Sequence, residues 1–278
     1  MKTLSLGIST CPNDTFVFDA MINGKIATGG LEFDYLLTDV EELNNNAFEA
    51  KTDITKISFH AYARVTDTYI LLNSGSALGF NNGPLLVAAA KTSPPSLKGK
   101  RIAIPGNYTT ANLLLSIAYP DLTDKYEVLF SDIEDLILMG EFAAGLLIHE
   151  NRFTYEARGL HKIVDLGEEW QGQTGMPIPL GGIAIRRDLG PEIAGKVEKM
   201  LASSIDYACK NPQSSYDFVR AYAASMDWDV IQKHIKLYVN EFSRDLGDQG
   251  REAVRTLYDM AADFKIINTV RKDIFTGH

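Results

Sequence analysis

The chain has 278 residues, more than one typical hydrophobic core requires, which points to one large or two modest domains. Apolar residues make up 45% and charged residues 23%, an ordinary globular balance. A formal net charge of −9 without any basic block argues against a nucleic-acid partner, although donors focused in one cleft would still hold a small anion.

The opening MKTLSLGISTCPNDTF reads as a strand running into a helix rather than as a secretory leader. Strands are expected at 3–9, 31–37, 53–58, 69–73 and 84–90, with helices opening at Pro12-Asn13-Asp14 and covering 40–50 and 59–65. Strands alternating with helices imply a parallel or mixed sheet covered on both faces. The stretch 91–100, KTSPPSLKGK, is polar with two prolines and a glycine, and reads as a linker. A second α/β unit follows, with strands at 101–105, 126–130 and 143–149 and helices at 109–118 and 133–139. Residues 171–178 read as loop, and 181–186 as a strand returning to the first unit. Helical spacing then marks 193–210, 212–224, 230–242 and 250–264.

The expected architecture is α/β and two-lobed, with a ligand cleft between the lobes. Residues 1–92 and 183–278 form the first lobe with the C-terminal helices, and residues 93–182 form an inserted second lobe. No stretch approaches the roughly 18 apolar residues that cross a bilayer, so no membrane partner is expected. Cys11 and Cys209 make no disulfide framework, and a cytoplasmic location follows as the expectation.

Four segments could carry chemistry. Ser9 to Thr15 joins a strand to a helix, where open α/β sheets bind ligands and where helix caps also sit. Cys11 within it reads more simply as a quiet thiol than as a nucleophile. Lys56-Ile57-Ser58 is a second strand end, able to offer a charge and a neutral donor to a carboxylate, or else a surface lysine and a capping serine. His60 beyond it reads equally as packed or exposed. Thr109-Thr110-Ala111 follows a glycine turn and opens a helix, so its amides and hydroxyls suit an anion. In Gly145 to Asn151 a buried apolar strand ends at His149, followed by Glu150. Of the five histidines, 60, 149, 161, 234 and 278, only His149 terminates such a strand, where a general base or a structural imidazole both fit. HExxH, CxxC, GxGxxG, GxSxG and Walker patterns are absent, so neither a metal nor another cofactor is expected.

The segments GISTCPNDTFVFDA, DITKISFHAY, GPLLVA, PGNYTTA, GLLIHE and PLGGIAIRRDL, in this order from Gly7 to about Leu189, resemble the 1,4-dihydroxy-6-naphthoate synthases of the futalosine route to menaquinone. That resemblance implies a fold like the type 2 periplasmic binding proteins. It implies a lyase that converts cyclic dehypoxanthinyl-futalosine to 1,4-dihydroxy-6-naphthoate and dihydroxyacetone without a cofactor. His149 would be the general base. Lys56, Ile57, Ser58, Thr109, Thr110 and Ala111 would contact the carboxylated substrate, and Ser9, Asn13 and Asp14 would line the other wall. Chorismate dehydration and ligand binding without chemistry are the alternatives. A monomer and a homodimer are both compatible with the sequence.

Overall fold

The computed structural model describes residues 2–223 and 227–277. Its first part runs β1 (Lys2–Ser9), α1 (Pro12–Ile22), β2 (Leu31–Thr38), α2 (Val40–Phe48), β3 (Ile54–Ser58), α3 (Phe59–Tyr62), β4 (Tyr69–Leu71) and β5 (Ala77–Gly79). The middle comprises β6 (Leu85–Ala88), β7 (Ile102–Ile104), α4 (Thr110–Ala118), β8 (Lys125–Glu127), α5 (Ile133–Leu138), β9 (Ala144–Leu147), β10 (His161–Asp165) and α6 (Leu166–Thr174). Then come β11 (Ile178–Arg186), α7 (Gly190–Lys210), α8 (Tyr216–Tyr222), α9 (Trp228–Tyr238), α10 (Glu241–Arg244) and α11 (Gly247–Asp263).

The strands form two sheets, one per lobe. The first has the order β2-β1-β3-β11-β4, with β5 also paired to β11, and the second is β10-β6-β9-β7-β8. β1 runs parallel to β2 and β3, whereas β11 returns antiparallel beside β3. The strand expected at 84–90 thus pairs with β9 and β10 in the second sheet, so the proline-rich 91–100 stretch connects two strands of one sheet. The chain changes sheets instead between β5 and β6, and again between α6 and β11.

Burial on both faces explains the continuous apolar runs. In β6, Leu86 and Ala88 face a core shared with the first sheet, while Leu85 and Val87 face a smaller one under α5. Ile183 and Ile185 of β11 pack with α1 and α7, and Ala184 points to the opposite side. The shared core takes in Ile57 and Leu71 of the first sheet and Ile104 and Leu146 of the second, with α4 and α11 between them.

Some elements differ from the sequence reading. Residues 171–174 belong to α6, whose start is capped by the Asp165 carboxylate, 2.8 Å from the Gly167 N–H, and whose end is set by Gly175 at φ 68°. The 230–242 helix breaks at Asn240, whose side chain caps α10. Of the 212–224 helix, 216–222 is α-helical and Ala224 lies outside the described residues. The face of α9 carrying Ile231, His234 and Tyr238 is buried within this chain. Among the described residues, no helix is long and apolar enough to cross a membrane.

Candidate active site

Four strand ends and one C-terminal helix converge on a cleft of about 660 Å³, counting the space open at its mouth. Its lining includes Ser9, Asn13 and Asp14 after β1, Lys56, Ile57 and Ser58 at the end of β3, Thr109, Thr110 and Ala111 at the start of α4, and His149 after β9. All ten residues singled out from the sequence therefore meet in one place. Cys11 joins them, as do Asn82, His234 and Tyr238, which sequence reasoning did not assign to a site.

Each segment reaches the cleft for a local reason. Pro12 occupies the first turn of α1 and turns the chain off β1. Behind it, three donors converge on the Asp14 carboxylate, Ser9 Oγ at 2.6 Å, Asn13 Nδ2 at 2.8 Å and Lys56 Nζ at 2.7 Å, while Ser9 Oγ itself accepts the Cys11 N–H at 3.3 Å. Lys56 and Asp14 are both buried, so this is an internal ion pair rather than a free surface charge. Ser58 is fixed by Asn44, whose amide oxygen accepts the Ser58 N–H at 2.9 Å and whose Nδ2 donates to Ser58 Oγ at 3.1 Å. Since Oγ there is an acceptor, the serine's own O–H can turn toward the cleft.

Thr109 caps α4. Its Oγ1 accepts the Asn112 N–H at 3.3 Å and donates to the Gly106 carbonyl at 2.8 Å. Thr110 Oγ1 donates to the Leu180 carbonyl at 2.5 Å. Both hydroxyls serve the backbone, which leaves the first amides of α4 as its anion-compatible groups. His60 is packed under this turn, with Nδ1 3.3 Å from the Thr109 carbonyl, and burial pushes its pKa down to about 4. Gly106 approaches Glu41 so closely that a Cβ would lie 2.5 Å from its carboxyl carbon. Burial raises the Glu41 pKa, and its Oε1 accepts the Tyr108 N–H at 3.2 Å, a contact from the first lobe to the second.

His149 follows β9 in a 3-10 turn, at φ 58°. That left-handed backbone is uncommon for a residue with a side chain and recurs at functional sites. Its ring meets Phe130 edge-on at 5.3 Å and stacks on His234 at 6.3 Å, and Nδ1 lies 3.2 Å from Cys11 Sγ. The side chain of Glu150 lies outside the described residues. His234 is fully buried, its Nε2 2.9 Å from Asn13 Oδ1. Burial, then the neighbouring His149 and Lys56, hold its pKa well below the usual histidine value. The i, i+3, i+7 spacing of Ile231, His234 and Tyr238 was the available sign that this histidine faces inward. No group of three or more His, Cys, Asp or Glu among the described residues is arranged to hold a metal.

Two α/β lobes joined by two chain crossings, with a cleft reached from both, define the periplasmic-binding-protein class of fold. A Candida albicans protein described as having the generic periplasmic binding protein fold matches 100% of this chain and 98% of its own, with a TM-score of 0.68 at 12% identity. Within that class the chain belongs to the menaquinone biosynthesis family, whose model matches residues 4–263. It is 43% identical over 258 residues to 1,4-dihydroxy-6-naphthoate synthase of Thermus thermophilus, covering 93% of each chain. It is 38% identical to the Streptomyces coelicolor protein of the same name, covering 94% of this chain and 93% of that one.

Proposed function

We propose that this chain is a lyase that cleaves cyclic dehypoxanthinyl-futalosine to 1,4-dihydroxy-6-naphthoate and dihydroxyacetone, with His149 as the general base. The named relatives support the reaction. The observation that carries the role of His149 is its left-handed backbone, which holds an imidazole among cleft residues of both lobes.

The substrate's aromatic carboxylate sits against the first amides of α4 and the Ser58 hydroxyl. The Lys56–Asp14 pair is internally neutral, and it shapes the wall beside them rather than acting as the anion's counter-charge. With the substrate so oriented, His149 removes a proton, the carbon–carbon bond breaks, and aromatisation of the released naphthoate drives the reaction forward. A base aligned in this way contributes about 10²–10⁴-fold in rate. The reaction needs no cofactor and takes place in the cytoplasm, the latter supported by two cysteines that are not joined in a disulfide. One chain supplies every lining residue named above, so a monomer suffices for the site.

Purified protein incubated with cyclic dehypoxanthinyl-futalosine, with no added cofactor, should yield 1,4-dihydroxy-6-naphthoate by mass spectrometry. Substrate recovered intact would instead favour a binding protein or the dehydration of chorismate, which is the next compound to test.

A further inference from the structure

The mechanism above leaves two fully buried polar side chains in the cleft without a task. Asn82 lies in the crossing from β5 to β6, and His234 projects from α9. Both line the cleft, and both have hydrogen-bonding atoms without a partner among the described residues: Nδ2 and Oδ1 of Asn82, and Nδ1 of His234. Unmade hydrogen bonds of this kind cost stability, so their presence asks for a ligand. Tyr238 ties the two together, with its ring 4.6 Å from His234 and its hydroxyl donating to the Asn82 carbonyl at 3.4 Å. Gly79 leaves the space that the Asn82 amide fills, since a Cβ there would come within 2.7 Å of Nδ2.

The tautomer of His234 follows from the network behind it. Asn13 Nδ2 donates to Asp14 at 2.8 Å, so its Oδ1 is the atom that faces His234 at 2.9 Å. A carbonyl oxygen only accepts, so His234 carries its proton on Nε2 and offers a bare lone pair at Nδ1. The wall then presents two acceptors, His234 Nδ1 and Asn82 Oδ1, beside one amide donor. A carboxylate or phosphate would meet lone pairs with lone pairs. Hydroxyl groups, which donate and accept, match the set.

We propose that Asn82 and His234 form a subsite for neutral aliphatic hydroxyls, which receives the sugar-derived part of the substrate while the carboxylate lies against α4 and Ser58. The inference rests on the reaction proposed above and extends it to a second pole of the same substrate.

The test compares two ligands. Steady-state turnover gives KM for cyclic dehypoxanthinyl-futalosine, and titration calorimetry gives Kd for 1,4-dihydroxy-6-naphthoate, which keeps the carboxylate and lacks the aliphatic hydroxyls. Asn82→Ala should raise KM about 10- to 100-fold, the range expected when a buried polar partner is removed, and leave the naphthoate Kd within about twofold. Its Tm should move by no more than about 3 °C, because the amide it removes is unpaired. His234→Gln keeps a donor toward Asn13 but lacks the Nδ1 acceptor, and should behave like Asn82→Ala. His234→Asn puts an amide oxygen near the Nδ1 position and should recover most of the lost KM. If KM stays unmoved in Asn82→Ala and His234→Gln, or if KM and the naphthoate Kd rise together, the subsite is wrong. If the wild type fails to turn over the substrate, the reaction itself is wrong, and the assignment of these hydroxyls falls with it.

Discussion

Substituting His149 separates chemistry from architecture, because asparagine tolerates a left-handed backbone better than histidine does. His149→Asn should therefore lower kcat about 10²–10⁴-fold while its urea midpoint stays at or above that of the wild type. Loss of stability together with activity would mark the residue as structural. Two further histidines, His60 and His234, give a pH signature. His60 is held at about 4 and His234 well below its ordinary value of 6.5, so both stay neutral in the fold where an unfolded histidine becomes charged. The unfolded chain then binds more protons between about pH 6.5 and 4. Their contribution to stability is complete above that window and falls away as the pH drops through it, by up to about 1.4 kcal/mol per pH unit for each residue. Urea unfolding at pH 7 and pH 5 measures this, and His60→Gln should flatten the dependence. At this scale the strand-end residues were legible because turns at strand ends are local features. The direction of the Thr109 and Thr110 hydroxyls was not, since capping and anion binding draw on the same residue types. Asn82 and His234 were invisible as a pair, because only the tertiary fold brings a crossing segment against α9.

α1 shows how an element is fixed by what surrounds it. All of its residues from Pro12 to Met21 are buried, charged ones included, against α7, α8 and α9. Asp14 is tolerated there because Lys56 reaches it from β3, and Asp19 because Lys25 and Ser215 do. Removing one partner of the first pair leaves a buried charge alone. Asp14→Asn or Lys56→Met should each destabilise by about 3–5 kcal/mol, and the double variant by less than their sum. A urea-based double-mutant cycle checks this, and strict additivity would show that the two side chains do not act as a pair. The same dependence on neighbours limits what periodicity reveals. α6 contains two glycines and two glutamines, and its second half, 171–174, reads as loop, yet its Asp165 cap and the buried Trp170, whose Nε1 donates to the Pro177 carbonyl at 3.0 Å, make it a helix. β6 was recognisable as a strand, but its choice of sheet depends on β9 and β10, both far along the chain.

Across the whole molecule, two sheets were inferable from the alternation of elements, whereas the extent of contact between them was not. One hydrophobic core runs from Leu71 and Ile57 through α4 and α11 to Ile104 and Leu146, and Tyr258 of α11 donates to the Phe59 carbonyl at 2.9 Å. Differential scanning calorimetry should accordingly show one transition, with calorimetric and van't Hoff enthalpies in agreement, and two resolved transitions would mean that the shared core does not couple the lobes. Heat and proteases then encounter a single cooperative unit. Warming would not loosen the second lobe ahead of the first, no cut would release either lobe as a stable fragment, and catalytic activity would persist nearly to the melting temperature before disappearing together with the fold.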